Sequence, residues 1–169
     1  MNSFLKRLLL LCTCLLALTG QTFADPLADA LRAMNEGDNA KAARLLRPLA
    51  KQGNTEAQFK LATLYYSGKG VRQNYTEAAD LYRHAAEHGH PVAQSNLATL
   101  YYRGEGVTKN FVLAYMWKDI AAVNSDGSRQ LRYREQLKAL SKEMPAKKIA
   151  EAKKLAKKCT ASKYKGCKR

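Results

Sequence analysis

Apolar and polar positions follow a helical rhythm along this chain, and between Ala57 and Ala122 the pattern is written twice, 36 residues apart. Ala57-Gln58 returns as Ala93-Gln94, Leu61-Ala62-Thr63-Leu64-Tyr65-Tyr66 as Leu97-Ala98-Thr99-Leu100-Tyr101-Tyr102, and Gly68-x-Gly70-Val71 as Gly104-x-Gly106-Val107. Asn74, Ala78, Ala85 and Ala86 follow as Asn110, Ala114, Ala121 and Ala122. Within one copy, Ala57, Leu61, Leu64 and Tyr65 stand at i, i+4, i+7 and i+8, the stripe of an amphipathic helix. Gly68 and Gly70 end that helix, because a residue without Cβ takes positive φ at little cost. Asn74 opens the next helix as its N-cap, with Glu77 placed three residues on to complete a capping box. Gly89 closes this second helix, and Pro91 suits the first turn of the one after it. One helical hairpin cannot bury its own stripe, so a fixed period of this length predicts hairpins stacked on one another.

The flanking segments extend the same plan. Ala42, Ala43, Leu45, Ala50 and Gly53 stand 36 residues before Ala78, Ala79, Leu81, Ala86 and Gly89, so residues 25–53 read as a degenerate first repeat. Its first helix, Pro26 to Glu36, lacks the tyrosines and is suited to cap the stack. Full repeats occupy 54–89 and 90–124, with Trp117 in place of Leu81. After the turn cluster Asn124-Ser125-Asp126-Gly127, Tyr133, Leu137, Leu140 and Met144 form one stripe, and Ile149, Ala152, Ala156 and Cys159 form another. Residues 125–169 are therefore expected to supply two capping helices over the open end.

Ahead of the repeats, residues 1–24 have the form of a secretory signal: Lys6-Arg7, an apolar run from Leu8 to Leu18, then Thr22-Phe23-Ala24 before Asp25. The run is short for a membrane span. Lipidation at Cys12 or Cys14 is disfavoured, since Leu11 and Thr13 stand where a small residue belongs. Cleavage leaves 145 residues, enough for one domain with a core, and an even pair of cysteines, Cys159 and Cys167. In the oxidising periplasm this pair is expected to form a disulfide, free thiols being the alternative. No second Cys or His pair lies nearby to complete a zinc site.

Charge divides the chain. Asp25 to Gly127 carries 12 basic and 11 acidic residues, whereas Ser128 to Arg169 carries 15 basic and 3 acidic. The repeats are nearly neutral and the tail is a cationic segment, which exceeds what solubility needs and points to an acidic partner. Export argues against nucleic acid. Acidic proteins and anionic envelope lipid or lipopolysaccharide remain.

The pattern Ala-Gln-x-x-Leu-Ala-x-Leu-Tyr, Gly-x-Gly-Val, Asn-(Tyr/Phe), Ala-x-x-(Leu/Trp), Ala-Ala closely resembles the Sel-1-like repeat, a relative of the tetratricopeptide repeat. Two good copies and a partial one cover about Asn35 to Ala122, and Ala114-Tyr115-Met116-Trp117, Ile149-Ala150-Glu151-Ala152 and Tyr164-Lys165-Gly166-Cys167 are similar to the C-terminal half of small exported bacterial members. The resemblance implies an all-α, right-handed solenoid of antiparallel helical hairpins that binds protein and performs no reaction. Among proteins it resembles, some are immunity proteins against type VI secretion effectors and others are envelope adaptors. Two departures stand out. Asn74 and Asn110 replace a usual acidic residue with an equally good cap. Lys147 and Lys148 occupy the first turn of the last helix, where they oppose the helix dipole.

No motif for catalysis emerges. His84 and His88 lie at i and i+4 with His90 nearby, but no acidic or Cys ligand is fixed beside them, and solvent-facing histidines account for the spacing. Ser162-Lys163-Tyr164-Lys165 matches the Ser-x-x-Lys of β-lactamase-type enzymes without the companion Ser-Asp-Asn or Lys-Thr-Gly. An enzyme, a cofactor, a metal and a small-molecule substrate are therefore not expected. Tyr65 and Tyr101 fall within the apolar stripe as core. Phe59, Lys60, Thr63 and Tyr66, then Asn96, Thr99, Tyr102 and Arg103, fall on the opposite arc with Ser67 and Ser95, where the first helices of a superhelical stack form a concave groove. Tyr and Arg there suit a binding surface, while the alternative for Tyr66 and Tyr102 is to fill space between hairpins. Lys147, Lys148, Lys154 and Lys158 are expected to assist the groove. A cationic envelope-binding protein, with the tail on lipid and the repeats presenting it, is the alternative.

Overall fold

A computed structural model describes residues 25–167, so the expected signal segment 1–24 lies outside the described residues. Those residues form eight helices and no strand: α1 (Pro26–Asn35), α2 (Asn39–Lys51), α3 (Thr55–Ser67), α4 (Tyr75–Glu87), α5 (Pro91–Arg103), α6 (Phe111–Val123), α7 (Gly127–Ser141) and α8 (Ala146–Ala161). Each helix through α6 packs on its predecessor and its successor, giving the expected stack of hairpins. Among the described residues no helix is long and apolar enough to cross a membrane.

The periodic residues act as fasteners between units. Gln58 Nε2 donates to Ala50 O at 3.1 Å and Gln94 Nε2 to Ala86 O at 3.1 Å, so each first helix satisfies a carbonyl at the end of the helix before it. Both glutamines are buried, where an unmet carbonyl is costly. Gly70 and Gly106 have φ of 71° and 68° and face backbone: a Cβ would stand 2.3 Å from the Asn39 carbonyl carbon and 2.1 Å from Tyr75 O. Glycine at this position lets the loop of one hairpin lie against the start of the preceding hairpin's second helix.

The helix caps differ from the expected capping box in one respect. Asn74 Oδ1 accepts from the Thr76 and Glu77 amides, as expected. The reciprocal bond from Glu77 is replaced: the Asn74 amide donates to Tyr65 O at 3.0 Å, and the Asn110 amide to Tyr101 O at 2.9 Å. The chain returns close to the first helix, so a carbonyl at that helix's end takes the donor that Glu77 would have bound.

The core runs along the stack as three clusters, linked by partly buried Tyr65, Leu81 and Tyr101. Tyr65 and Tyr101 thus bridge clusters instead of being enclosed within one. Leu46, Leu97, Trp117 and Ile120 are fully buried, each aliphatic side chain contributing roughly 2 kcal/mol.

The 36-residue period persists where composition had hidden it. Gln130 Nε2 donates to Ala122 O at 3.2 Å, repeating the bonds of Gln58 and Gln94, and also to Ser125 O at 3.0 Å, so α7 takes the place of the first helix of a next hairpin. No closed hairpin follows, since α7 and α8 both pack on α6 and make little contact with each other. Tyr133, Leu137, Leu140, Met144, Ala152, Ala156 and Cys159 are buried, as their stripes predict. Cys159 and Cys167 form the expected disulfide, with Cα atoms 5.1 Å apart.

Candidate functional site

On the faces of α3 and α5 expected to line a groove, the same side-chain chemistry appears twice. Tyr66 packs its ring on Tyr75 of its own hairpin, centroids 5.4 Å apart, and its hydroxyl accepts from Arg103 Nη1 at 2.9 Å. Tyr102, one repeat later, packs on Phe111 at 5.6 Å and donates to both carboxylate oxygens of Glu143, at 3.0 and 3.1 Å. Each tyrosine therefore fills its own hairpin with the ring and reaches the next unit with the hydroxyl, as the space-filling alternative expects. Burial, reinforced by Glu105, pushes the Tyr66 phenol above its ordinary pKa; the hydrogen bond to Glu143 does so for Tyr102.

A cavity opens beside each of these tyrosines. One, of about 90 Å³, is lined by Tyr66, Tyr82, Asn96, Thr99 and Leu100. The other, of about 240 Å³, lies against α7 and is lined by Thr99, Tyr102, Lys118, Gln136, Leu140 and Glu143, among others. Thr99 belongs to both. Thr63 stands beside them, its hydroxyl 3.2 Å from that of Tyr82.

Lys118 is a residue of this site that the sequence reading missed. It is 8 % exposed, and its ammonium donates to Ser95 Oγ at 2.7 Å, Gln136 Oε1 at 3.0 Å and Ser95 O at 3.1 Å. Burial, with the Arg132 charge adding to it, lowers its pKa to about 8. Three acceptors for three N–H groups make the buried cation tolerable. Lys118 stands 36 residues after Tyr82, so both repeats send a polar tip from the second helix beneath the groove floor. A lysine inside the otherwise apolar stripe of α6 was the available signal. Ser95, expected on the outer arc, is buried as its partner.

The remaining expected residues are placed less centrally. The Phe59 ring is stacked on His90, centroids 4.3 Å apart, and Lys60 pairs with Glu56 at 3.3 Å. His90 is the N-cap of α5: Nδ1 accepts from the Ala93 amide at 3.1 Å while Nε2 lies 3.3 Å from Glu56 Oε2. His84 and His88 are exposed, and among the described residues no three His, Cys, Asp or Glu side chains gather to hold a metal. Lys147, Lys154 and Lys158 project from α8 into solvent, apart from the groove. Lys148 pairs with Glu151 at 2.8 Å and lines a separate cavity of about 330 Å³ to which Glu143 also belongs. Glu143 is thus where groove and tail approach each other. Ser162 Oγ donates to backbone carbonyls of Cys159 and Lys165, both at 2.9 Å, as part of the terminal loop.

The Sel1 repeat model matches residues 36–54, 55–90 and 91–122, more than half of the chain. The chain belongs to the Sel1 repeat family. Two solved structures share the fold of this Sel1 repeat protein. A protective antigen present in uropathogenic Escherichia coli strains, displaying an SLR fold, is 32% identical with a TM-score of 0.75 over 83% of this chain. The chain spans 31% of that antigen's length. A Sel1 repeat protein from Oxalobacter formigenes is also 32% identical, with a TM-score of 0.57, over 65% of this chain and 86% of that one. No curated protein matches closely enough to count as a relative. Sel1 repeats mediate protein-protein interaction, and the family is generally a non-catalytic scaffold.

Proposed function

We propose that this Sel1 repeat protein is an exported, non-catalytic binding module of the periplasm whose α3–α5 groove holds an acidic segment of a protein partner. The observation that carries the reading is the repeated tyrosine face with a cavity at each tyrosine and a buried cation, Lys118, beneath. The chain's own Glu143 supports the choice of an acidic segment, since its carboxylate accepts from Tyr102 at the cavity edge. A partner carboxylate displaces Glu143 there, and a second one joins Glu105, 3.7 Å from Arg103, beside Tyr66 one unit away. Inhibition of a secreted antibacterial effector, as an immunity protein, and an envelope adaptor role both use such a groove.

The test is affinity capture from periplasmic extract with the mature protein at low and at moderate salt, since screening weakens charge-driven contacts. One stoichiometric protein that survives moderate salt and is lost with Tyr66→Ala plus Tyr102→Ala supports the reading. Retention of that protein by the double variant sinks it. The exposed lysines of α8 favour a second reading, an envelope-binding protein contacting anionic lipid. Replacement of Lys147, Lys148, Lys153, Lys154, Lys157 and Lys158 by Gln then abolishes vesicle binding and leaves protein capture intact.

A further inference from the structure

The stack contains the same outer groove twice, once covered and once open. Between α4 and α6 the cover is the chain's own disulfide loop. Tyr164 lies over Gly89, so that a Cβ there would be 3.4 Å from the ring, and the Tyr164 hydroxyl donates to Asn124 Oδ1 at 3.0 Å. Asn124 Nδ2 in turn donates to Gln94 Oε1 at 3.0 Å. One repeat earlier, between α2 and α4, the equivalent positions are Gly53, His88 and Gln58. Here a cavity of about 680 Å³ remains, a Cβ on Gly53 would meet nothing within 4 Å, and the buried Gln58 Oε1 has no hydrogen-bond partner among the described residues. His88 does not serve Gln58 as Asn124 serves Gln94, because its Nδ1 lies 2.8 Å from His84 O.

The charges identify the occupant. The loop that covers the second groove is basic at Lys163 and Lys165, and the last residue of α4, two before Gly89, is Glu87. The position 36 residues earlier is Lys51, and Arg47 joins it around the open cavity against one carboxylate, Glu77. A second copy's basic loop is therefore repelled. We propose that the groove between α2 and α4 is a second docking site, separate from the concave one, which receives an acidic polypeptide segment presenting a tyrosine. The ring lies over Gly53, a polar hydrogen of the segment supplies the Gln58 oxygen, and flanking carboxylates meet Lys51 and Arg47.

The probe is a disulfide-closed nonapeptide with the sequence of residues 159–167 carrying Lys163→Glu and Lys165→Glu, titrated into 15N-labelled mature protein. Saturable shifts centred on Gly53 and the Gln58 side-chain amide are expected, with affinity weakened at least about tenfold by Lys51→Glu and, less, by Lys51→Gln. The unaltered Lys163/Lys165 peptide binds the Lys51→Glu variant better than the parent. Tyr66→Ala plus Tyr102→Ala leaves the titration unchanged, which separates this site from the concave groove. Absence of saturable binding, shifts centred on the concave face, or equal binding of a peptide with alanine at the tyrosine overturns the proposal.

Discussion

Arg103 donates from Nη1 to the Tyr66 hydroxyl 2.9 Å away, tying the end of α5 to the end of α3 across one repeat. The Tyr66 ring is held independently by Tyr75. Tyr66→Phe is therefore expected to keep the fold, lowering stability in urea by at most about 1 kcal/mol, the scale of one hydrogen bond. Partner affinity falls less with Tyr66→Phe than with Tyr66→Ala, because only the latter removes the apolar surface of the groove. Equal losses show the ring to be irrelevant.

Gln94 and Gln58 occupy equivalent sites with unequal satisfaction. Gln94 bonds Ala86 O and Asn124, whereas Gln58 bonds Ala50 O and leaves its oxygen without a partner. Gln94→Leu should cost about 1–3 kcal/mol by stranding buried groups on both sides. Gln58→Leu should cost less, since it also removes an unpaired acceptor. Denaturant midpoints of the two variants at constant m-value decide the order.

Gly104 and Gly106 both have positive φ, at 75° and 68°. A Cβ on Gly104 meets the Lys109 side chain at 3.2 Å, but on Gly106 it meets Tyr75 backbone at 2.1 Å. Gly104→Ala is expected to lose about 1–2 kcal/mol from the left-handed backbone alone. Gly106→Ala must lose more, because the backbone of the neighbouring hairpin has to move. Similar melting temperatures for the two variants contradict the close approach.

Lys118 makes stability rise with alkaline pH. Its pKa falls from 10.5 to about 8 on folding. Below about 8 both states hold the proton and the cost of burying the cation is fully present; between there and about 10.5 the unfolded state binds more protons, so unfolding free energy increases with pH. Lys118→Met should flatten that part of the profile, measured by urea unfolding from about pH 7 to about pH 10. An unchanged slope assigns the effect to other groups.

Reduction of the Cys159–Cys167 bridge, with a sequence separation of 8, removes a constraint worth about 2–3 kcal/mol in the chain-entropy description. Tyr164 depends on that loop to reach Gly89 and Asn124. Thermal unfolding of the Cys159→Ser plus Cys167→Ser variant should therefore fall by several degrees, and the Asn124 side-chain amide should shift. A melt indifferent to the bridge means the loop is held by its packing alone.

Helical hairpins, their boundaries and their order are legible in residues 57–122, because local periodicity and glycine and asparagine punctuation act over a few residues. The disulfide and both C-terminal stripes are legible for the same reason. Tyr66, Asn96, Thr99 and Tyr102 do line neighbouring cavities, since a helix fixes which residues share a face. What each of them touches depends on contacts between hairpins. Glu143 on Tyr102, Lys118 beneath Ser95, and His90 capping α5 beside Phe59 are joined by packing that no local pattern encodes. The equivalence of Gln130 with Gln58 and Gln94 escaped notice because Gln130 alone keeps the motif while its apolar neighbours have changed. The open outer groove was likewise beyond sequence: only the docked tail shows that one copy of the groove is filled and the other is not. Sequence determined the repeating unit through local backbone and burial preferences; the tertiary structure decided which polar groups meet, because hydrogen bonds and charges act between surfaces brought together by stacking.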